Sequence, residues 1–203
     1  MFHKTSISDL YELKKQTIYK EVHSLSESRD SFDVDREYHR LQAKFSYSPI
    51  ELLEDQIHLL PMEAAHRDIP DGFGDGDYVR QHYIKVTVCV PYSPNANAKE
   101  IHDCRGSTFG LSASARYDIN TRKNRFEIEL QLSDESKAKE AAARAIADLK
   151  AEVEVKNRDI QEGNARISSL LKSSLEEQRK RHEEGQKKMN AIAQDLGFPV
   201  KDD

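Results

Sequence analysis

The segment from His102 to Thr108 brings together side-chain types that bind anions. Arg105 carries a planar guanidinium that can hold a phosphate or a carboxylate through two hydrogen bonds, and the hydroxyls of Ser107 and Thr108 can donate two more. Because recognition residues often lie on loops between strands, we predict a ligand- or partner-binding site at Arg105, Ser107 and Thr108. In the alternative, both hydroxyls shape a turn and Arg105 pairs with Asp103.

A second candidate is the basic tip of a predicted hairpin, which carries Arg122, Lys123 and Arg125 with no acidic residue between them. Such a tip can meet phosphates, so we predict nucleic-acid contact at these three residues, with DNA as the partner they would suit. The basic residues between positions 179 and 188 alternate with glutamates, which cancels their field and indicates a solvated helix face.

Two arrangements that could bind metal fail on spacing. Aspartates alternate with glycines over residues 71–77, but Phe73 and His82 stand where a calcium loop needs oxygen ligands. Cys104 lies two residues from His102 without the paired spacing of a zinc site. We therefore predict no metal and no cofactor, with both cysteines as ordinary packing or loop residues.

A nuclease of the restriction type needs a carboxylate two residues before a lysine on a strand, so that acids hold the metal and the lysine assists water. Residues 83–85 have this outline, but Tyr83 replaces the carboxylate. The other charged strand, residues 127–131, lacks a lysine. No catalytic residue is predicted.

Composition narrows the class of protein. The 203 residues are 37% hydrophobic and 33% charged, and the net charge is −5. This balance excludes a whole-molecule basic field for grasping nucleic acid. Two cysteines make no disulfide framework. The start of the chain lacks the apolar stretch of a signal peptide, and no run is long enough to span a membrane, so we expect a cytoplasmic chain without a membrane partner.

The elements that must position these residues begin with two helices, over residues 6–26 and 33–46. Ser6 and Asp9 form a capping signal at the first. Apolar residues at helical spacing predict the faces that each helix buries: Ile7, Leu10, Leu13, Ile18, Val22 and Leu25, then Val34, Tyr38, Leu41 and Phe45.

A small antiparallel sheet of about four strands is predicted over residues 57–133. β-Branched and aromatic residues dominate from Tyr78 to Val90, and residues 115–119 and 126–132 flank a turn at Asn120–Asn124. Alternation of apolar and polar residues over 126–132 indicates one buried face. Residues 48–60 stay ambiguous, because a helix opening at Ser48 would be stopped early by Pro61.

The last zone, residues 134–203, is predicted to form a long helical hairpin or a coiled coil. A mainly apolar seam recurs at steps of four and three, and a similar seam continues from Ile167 to Leu196; the first comprises Ala142, Ile146, Leu149, Val153, Lys156 and Ile160. Gly163 interrupts the pattern and favours an αα-hairpin, with a dimeric coiled coil second. The fold class is therefore α+β, with an α+β domain over 1–133 and a helical arm over 134–203.

Four segments occur in the same order as in one bacterial family: Lys4–Lys14, Val88–Tyr92, Arg105–Leu111 and Leu196–Lys201. The chain resembles the N-terminal region of large uncharacterised bacterial proteins that continue into a restriction-endonuclease-like domain and are suspected of phage defence. In that family the third segment commonly reads Arg-Pro-Ser-Thr-Tyr, and here Gly106 and Phe109 replace the proline and the tyrosine. The nuclease part is absent here, so the chain is either a fragment or works with a separate effector.

The resemblance, with no catalytic pattern in view, implies a non-catalytic sensor or adaptor module of a nuclease-linked anti-phage defence system. It would act by binding protein or nucleic acid, with a nuclease or other effector subunit as partner and homo-oligomers formed through the C-terminal helices. One alternative is a hydrolase or nuclease with an unrecognised site around His102, Arg105 and Ser107. Another is a purely structural coiled-coil assembly protein.

Overall fold

The structure is a computed structural model that describes residues 6–25, 33–70, 78–104 and 115–197. The predicted α+β class is confirmed: helices come first, an antiparallel sheet follows and a long helix closes the chain. The helices are α1 (Ile7–Leu25), α2 (Val34–Phe45), α3 (Ala98–Asp103) and α4 (Ala138–Leu196), and the strands are β1 (His58–Leu59), β2 (Glu63–Pro70), β3 (Tyr78–Pro91), β4 (Ala115–Asn120) and β5 (Arg125–Leu132).

The chain forms two compact units. The sheet unit comprises Met1–Ile7 and Ser48–Ile160, and the helical unit comprises Ser8–Tyr47 and Gln161–Asp203. The predicted division put α1 and α2 with the sheet and left the long helix by itself. In the two compact units, α1 and α2 group with the C-terminal part of α4, and the N-terminal part of α4 groups with the sheet; the predicted division into 1–133 and 134–203 stays a prediction.

Within the described residues the sheet has five antiparallel strands, one more than the sequence predicts. Its order is β1-β3-β5-β4, and β2 also pairs with β3. The alternation predicted for residues 126–132 is confirmed, because Phe126, Ile128 and Leu130 of β5 are buried. They lie opposite three buried valines of β3, in the pairs Val90↔Phe126, Val88↔Ile128 and Val86↔Leu130. These pairs form the apolar face of the sheet.

The ambiguous residues 48–60 form no long helix. A 3₁₀ turn at Glu54–Gln56 precedes β1, and Leu52 forms an isolated bridge with Tyr92. The predicted hairpin turn is confirmed. β4 and β5 are joined through Asn120–Asn124, and Asn124 takes a φ of 47°, a left-handed conformation that asparagine tolerates better than most residues.

The two N-terminal helices lie within one residue of their predicted bounds. The Asp33 carboxylate caps α2 by accepting hydrogen bonds from the backbone N–H groups of Asp35 and Arg36. The predicted face of α1 is wrong at Leu13, whose side chain is exposed, whereas Tyr11 is buried. The observed stripe includes Tyr11, Ile18 and Val22 at steps of seven and four, and it excludes Leu13 because that residue projects from another side of the helix.

The predicted αα-hairpin at Gly163 is wrong, because α4 is one helix of 59 residues that continues through this position. Gly163 is buried, and a Cβ atom placed on it would lie 2.0 Å from Cε2 of Tyr11. The glycine therefore admits a tyrosine ring against the helix backbone and does not turn the chain. Among the described residues, no helix combines the length and apolarity that crossing a membrane requires.

Candidate functional site

The predicted binding residues Arg105, Ser107 and Thr108 lie outside the described residues. Just before them, Cys104 is buried, and the His102 ring packs with its centroid 5.9 Å from Tyr117 and 5.8 Å from Phe126. No group of three or more potential metal ligands occurs among the described residues, which do not include residues 71–77.

The basic hairpin tip keeps two of its three predicted cations facing solvent. The guanidinium of Arg125 donates to Oε1 of Glu127 through Nη2 at 2.6 Å and Nε at 2.8 Å, and its side chain is 12% exposed. This hydrogen-bonded guanidinium holds the pKa of Glu127 below its usual range. Arg122 and Lys123 are exposed. Nucleic-acid contact here stays a prediction, now resting on these two.

The sheet unit contains a buried lysine, Lys156. Helical periodicity predicts that it lies on the 142–160 seam but indicates no role for its charge. Lys156 is 2% exposed, its Nζ lies 2.6 Å from Oε1 of Glu152, and it donates to the carbonyl oxygen of His102 at 2.9 Å. Oε2 of Glu152 and the hydroxyl of Tyr117 are both buried with no hydrogen-bond partner among the described residues. The hydrogen bond from Lys156 to His102 joins α3 to α4, and a lysine at a seam position was its sequence signal.

The C-terminal part of α4, in the helical unit, carries one seam that divides into two consecutive stretches, one buried and one mostly exposed. We call the first stretch the inner seam, whose members are buried: Gly163, Ile167, Leu171, Ser174, Leu175 and Gln178. We call the second stretch the outer seam, which continues at steps of four and three: His182, Gly185, Met189, Ile192 and Leu196. The two seams share one spacing.

The inner seam is held by α1, α2 and Tyr47, which lies two residues beyond the end of α2. Asn164 beside it accepts a hydrogen bond from the Tyr47 N–H at 3.0 Å and donates to the Tyr47 carbonyl at 2.9 Å. Tyr11, whose pKa burial raises, donates its hydroxyl proton to the same Asn164 side chain at 2.7 Å. Tyr38 of α2 lies 2.6 Å from the Ser168 hydroxyl. These polar contacts fix where the helices cross the inner seam.

The outer seam exposes large apolar side chains. Met189 is 63% exposed, Ile192 58% and Leu196 63%. At Gly185 an added Cβ atom would meet nothing within 4 Å, in contrast to Gly163. A groove of about 370 Å³ opens at its start, between His23 of α1 and residues 178–189 of α4.

The charges beside the seams are paired along the helix, as the interleaved sequence predicted. Arg179 lies 2.9 Å from Glu176 and 3.6 Å from Glu183, and Arg181 lies 2.5 Å from Glu177. Such exposed pairs each add little stability, but they reduce the net field of this face. The outer seam is therefore an apolar stripe with balanced borders, which suits a protein partner better than a polyanion.

Comparisons of the chain with protein-family models, with curated proteins and with solved structures find no match. The relation to nuclease-linked bacterial proteins stays a prediction from the four sequence segments.

Proposed function

We propose that the chain is a non-catalytic assembly module that works through protein contact at the outer seam of α4. The observation that carries the proposal is the exposure of Met189, Ile192 and Leu196, in register with a seam that the same helix buries further back. Single exposed apolar residues are ordinary on a protein surface, whereas a continuous stripe of them marks an interaction site.

Helix energetics support the same proposal. Helices gain most of their stability from packing an apolar face, and short isolated helices are marginal in water. Residues 182–196 are exposed, apart from His182 and Ala193, which are half-buried. A partner that covers the outer seam would remove apolar surface from water and stabilise these helical turns, which gives binding a driving force.

The resemblance to nuclease-linked defence proteins supplies the proposed setting. In that setting the module is an adaptor whose assembly positions a nuclease or another effector subunit. Arg122 and Lys123 at the hairpin tip could add a weak phosphate contact, but the outer seam is the larger and more continuous surface.

Site-specific photocrosslinking in cells tests the proposed interface whatever the partner is. A photoreactive phenylalanine analogue at Ile192 should form protein adducts on illumination. The matched control places it at Ala191, one residue along the same helix and off the seam. Adducts at both positions, or at neither, would contradict the proposal.

The non-catalytic part is tested separately. We expect the purified chain with Mg²⁺ or Mn²⁺ to leave duplex and single-stranded DNA intact. Metal-dependent cleavage that a point substitution in this chain abolishes would show an enzyme instead.

A further inference from the structure

The small and large residues of the outer seam alternate so that the seam is complementary to a second copy running in the opposite direction. A small position, Gly185, stands four residues before a long flexible one, Met189. If a second copy runs antiparallel with Gly185 facing the Met189 position, that contact occurs twice by symmetry. The open space above Gly185 then receives a methionine side chain, and the Ile192 position faces His182. Parallel packing would set Gly185 against Gly185 and leave a gap at that seam layer.

The charged residues beside the outer seam favour the same antiparallel register. Arg181 and Asp195 both lie one residue before a seam position, on the same border of the stripe. In the antiparallel arrangement this border meets its counterpart, so that Arg181 of each copy lies beside Asp195 of the other. Lys188 meets its own counterpart at the two-fold axis, which leaves one repulsive pair against two attractive ones. In a parallel pair, Arg181 and Asp195 would be about 21 Å apart along the axis, because 14 residues separate them at 1.5 Å each.

In this register the groove beside His23 would receive Leu196 of the second copy. The groove runs along α4 from Gln178 to Met189, and the antiparallel copy faces its Gln178 end with the Leu196 position. Leu196 is exposed in the single chain, and the groove of about 370 Å³ has room for a leucine side chain. The apolar end of one copy would thus be covered by the walls of the groove in the other.

Resting on the proposed function, which makes the outer seam a protein interface, we propose that its partner is a second copy of this chain, packed antiparallel about an axis near Lys188. The polar seam positions Gln178 and His182 keep the contact modest, on the order of micromolar or weaker, as is typical of small interfaces.

Sedimentation equilibrium of the full chain tests the self-association. The mass should rise with concentration from 23.3 kDa toward twice that value. Ile192→Asp should raise the dissociation constant at least tenfold and Ala191→Asp should leave it unchanged, although both variants lower helix propensity and should melt at similar temperatures in dilute solution. A chain that stays monomeric up to about 1 mM overturns the second copy as partner. Adducts at Ile192 in cells would then still support a different protein partner, so the two failures can be told apart.

A charge exchange tests the orientation. Arg181→Asp and Asp195→Arg should each weaken the dimer several-fold, because each puts like charges together in the antiparallel register. The double variant should recover the original dissociation constant, since the attractive pairs return with their signs exchanged. A double variant that associates no better than the weaker single variant overturns the antiparallel register.

Discussion

The inner and outer seams of α4 share a helix, a spacing and a mixture of apolar with small residues, yet one is buried and the other is exposed. Leu171 is fully buried, whereas Leu196 is 63% exposed. Gly163 lies under the Tyr11 ring, whereas nothing lies within 4 Å of the Cβ position at Gly185. Periodicity therefore identifies a seam but does not say whether the same chain covers it. That answer lies in residues distant in sequence, here α1, α2 and Tyr47.

The largest contrast is expected between two leucines. Leu171→Ala should lower the free energy of unfolding by about 2–5 kcal/mol, because the buried side chain leaves a cavity. Leu196→Ala should change it by about 0.5 kcal/mol or less in dilute solution. Urea denaturation of both variants measures the difference. Equal losses would mean that the chain itself buries the outer seam.

A comparable effect is expected at Asn164. Asn164→Ala removes the side chain that pairs with both backbone groups of the buried Tyr47 and accepts from Tyr11. Each buried group left unpaired costs about 1–3 kcal/mol. Asn190→Ala on the exposed outer length is the matched control and should be neutral or slightly stabilising. A destabilisation by Asn190→Ala as large as that by Asn164→Ala would remove the distinction.

Gly163→Ala should destabilise by about 1–3 kcal/mol even though alanine is the better helix former. The cause is the Tyr11 ring, which must move to admit a Cβ atom. Thermal melts of Gly163→Ala, Tyr11→Leu and the double variant give the interaction free energy between the two positions. Strict additivity of the two changes would show that ring and glycine do not touch.

The smallest effect has the opposite sign. Gly185→Ala should stabilise the dilute chain by about 0.5–1 kcal/mol, because it adds helix propensity without meeting any atom. A lower melting temperature for Gly185→Ala would reveal a contact there within one chain.

Local patterns predicted much of the fold. Alternation predicted β5 and its buried face, and helical spacing predicted α1 and α2 to within one residue, because these signals come from neighbouring residues alone. The Gly163 hairpin was wrong because a glycine that admits a ring and a glycine that turns a chain look alike in sequence. The choice of Leu13 over Tyr11 was wrong because tyrosine reads as amphipathic, and burial of its ring depends on a distant partner, Asn164.

The candidate site was predicted only in part. The seam from Ile167 to Leu196 was visible in the sequence, but its division at Gln178 depends on where α1 ends and α2 begins. The loss of Arg125 from the basic tip follows from Glu127, two residues along the same strand. Side chains two apart share one strand face, so the pairing was accessible to sequence reasoning and was missed. The acid that pairs with Arg125 lies beyond the three cations, so the tip itself contains no acidic residue.

Hydrogen–deuterium exchange of the full chain at two protein concentrations tests the central claim most directly, namely that the inner seam is core and the outer seam is interface. At low concentration the amides of residues 163–178 should be strongly protected, whereas those of residues 182–196 should exchange much faster, because no packing covers these helical turns. Raising the concentration should add protection at 182–196 alone. Equal and concentration-independent protection of the two lengths would contradict the account.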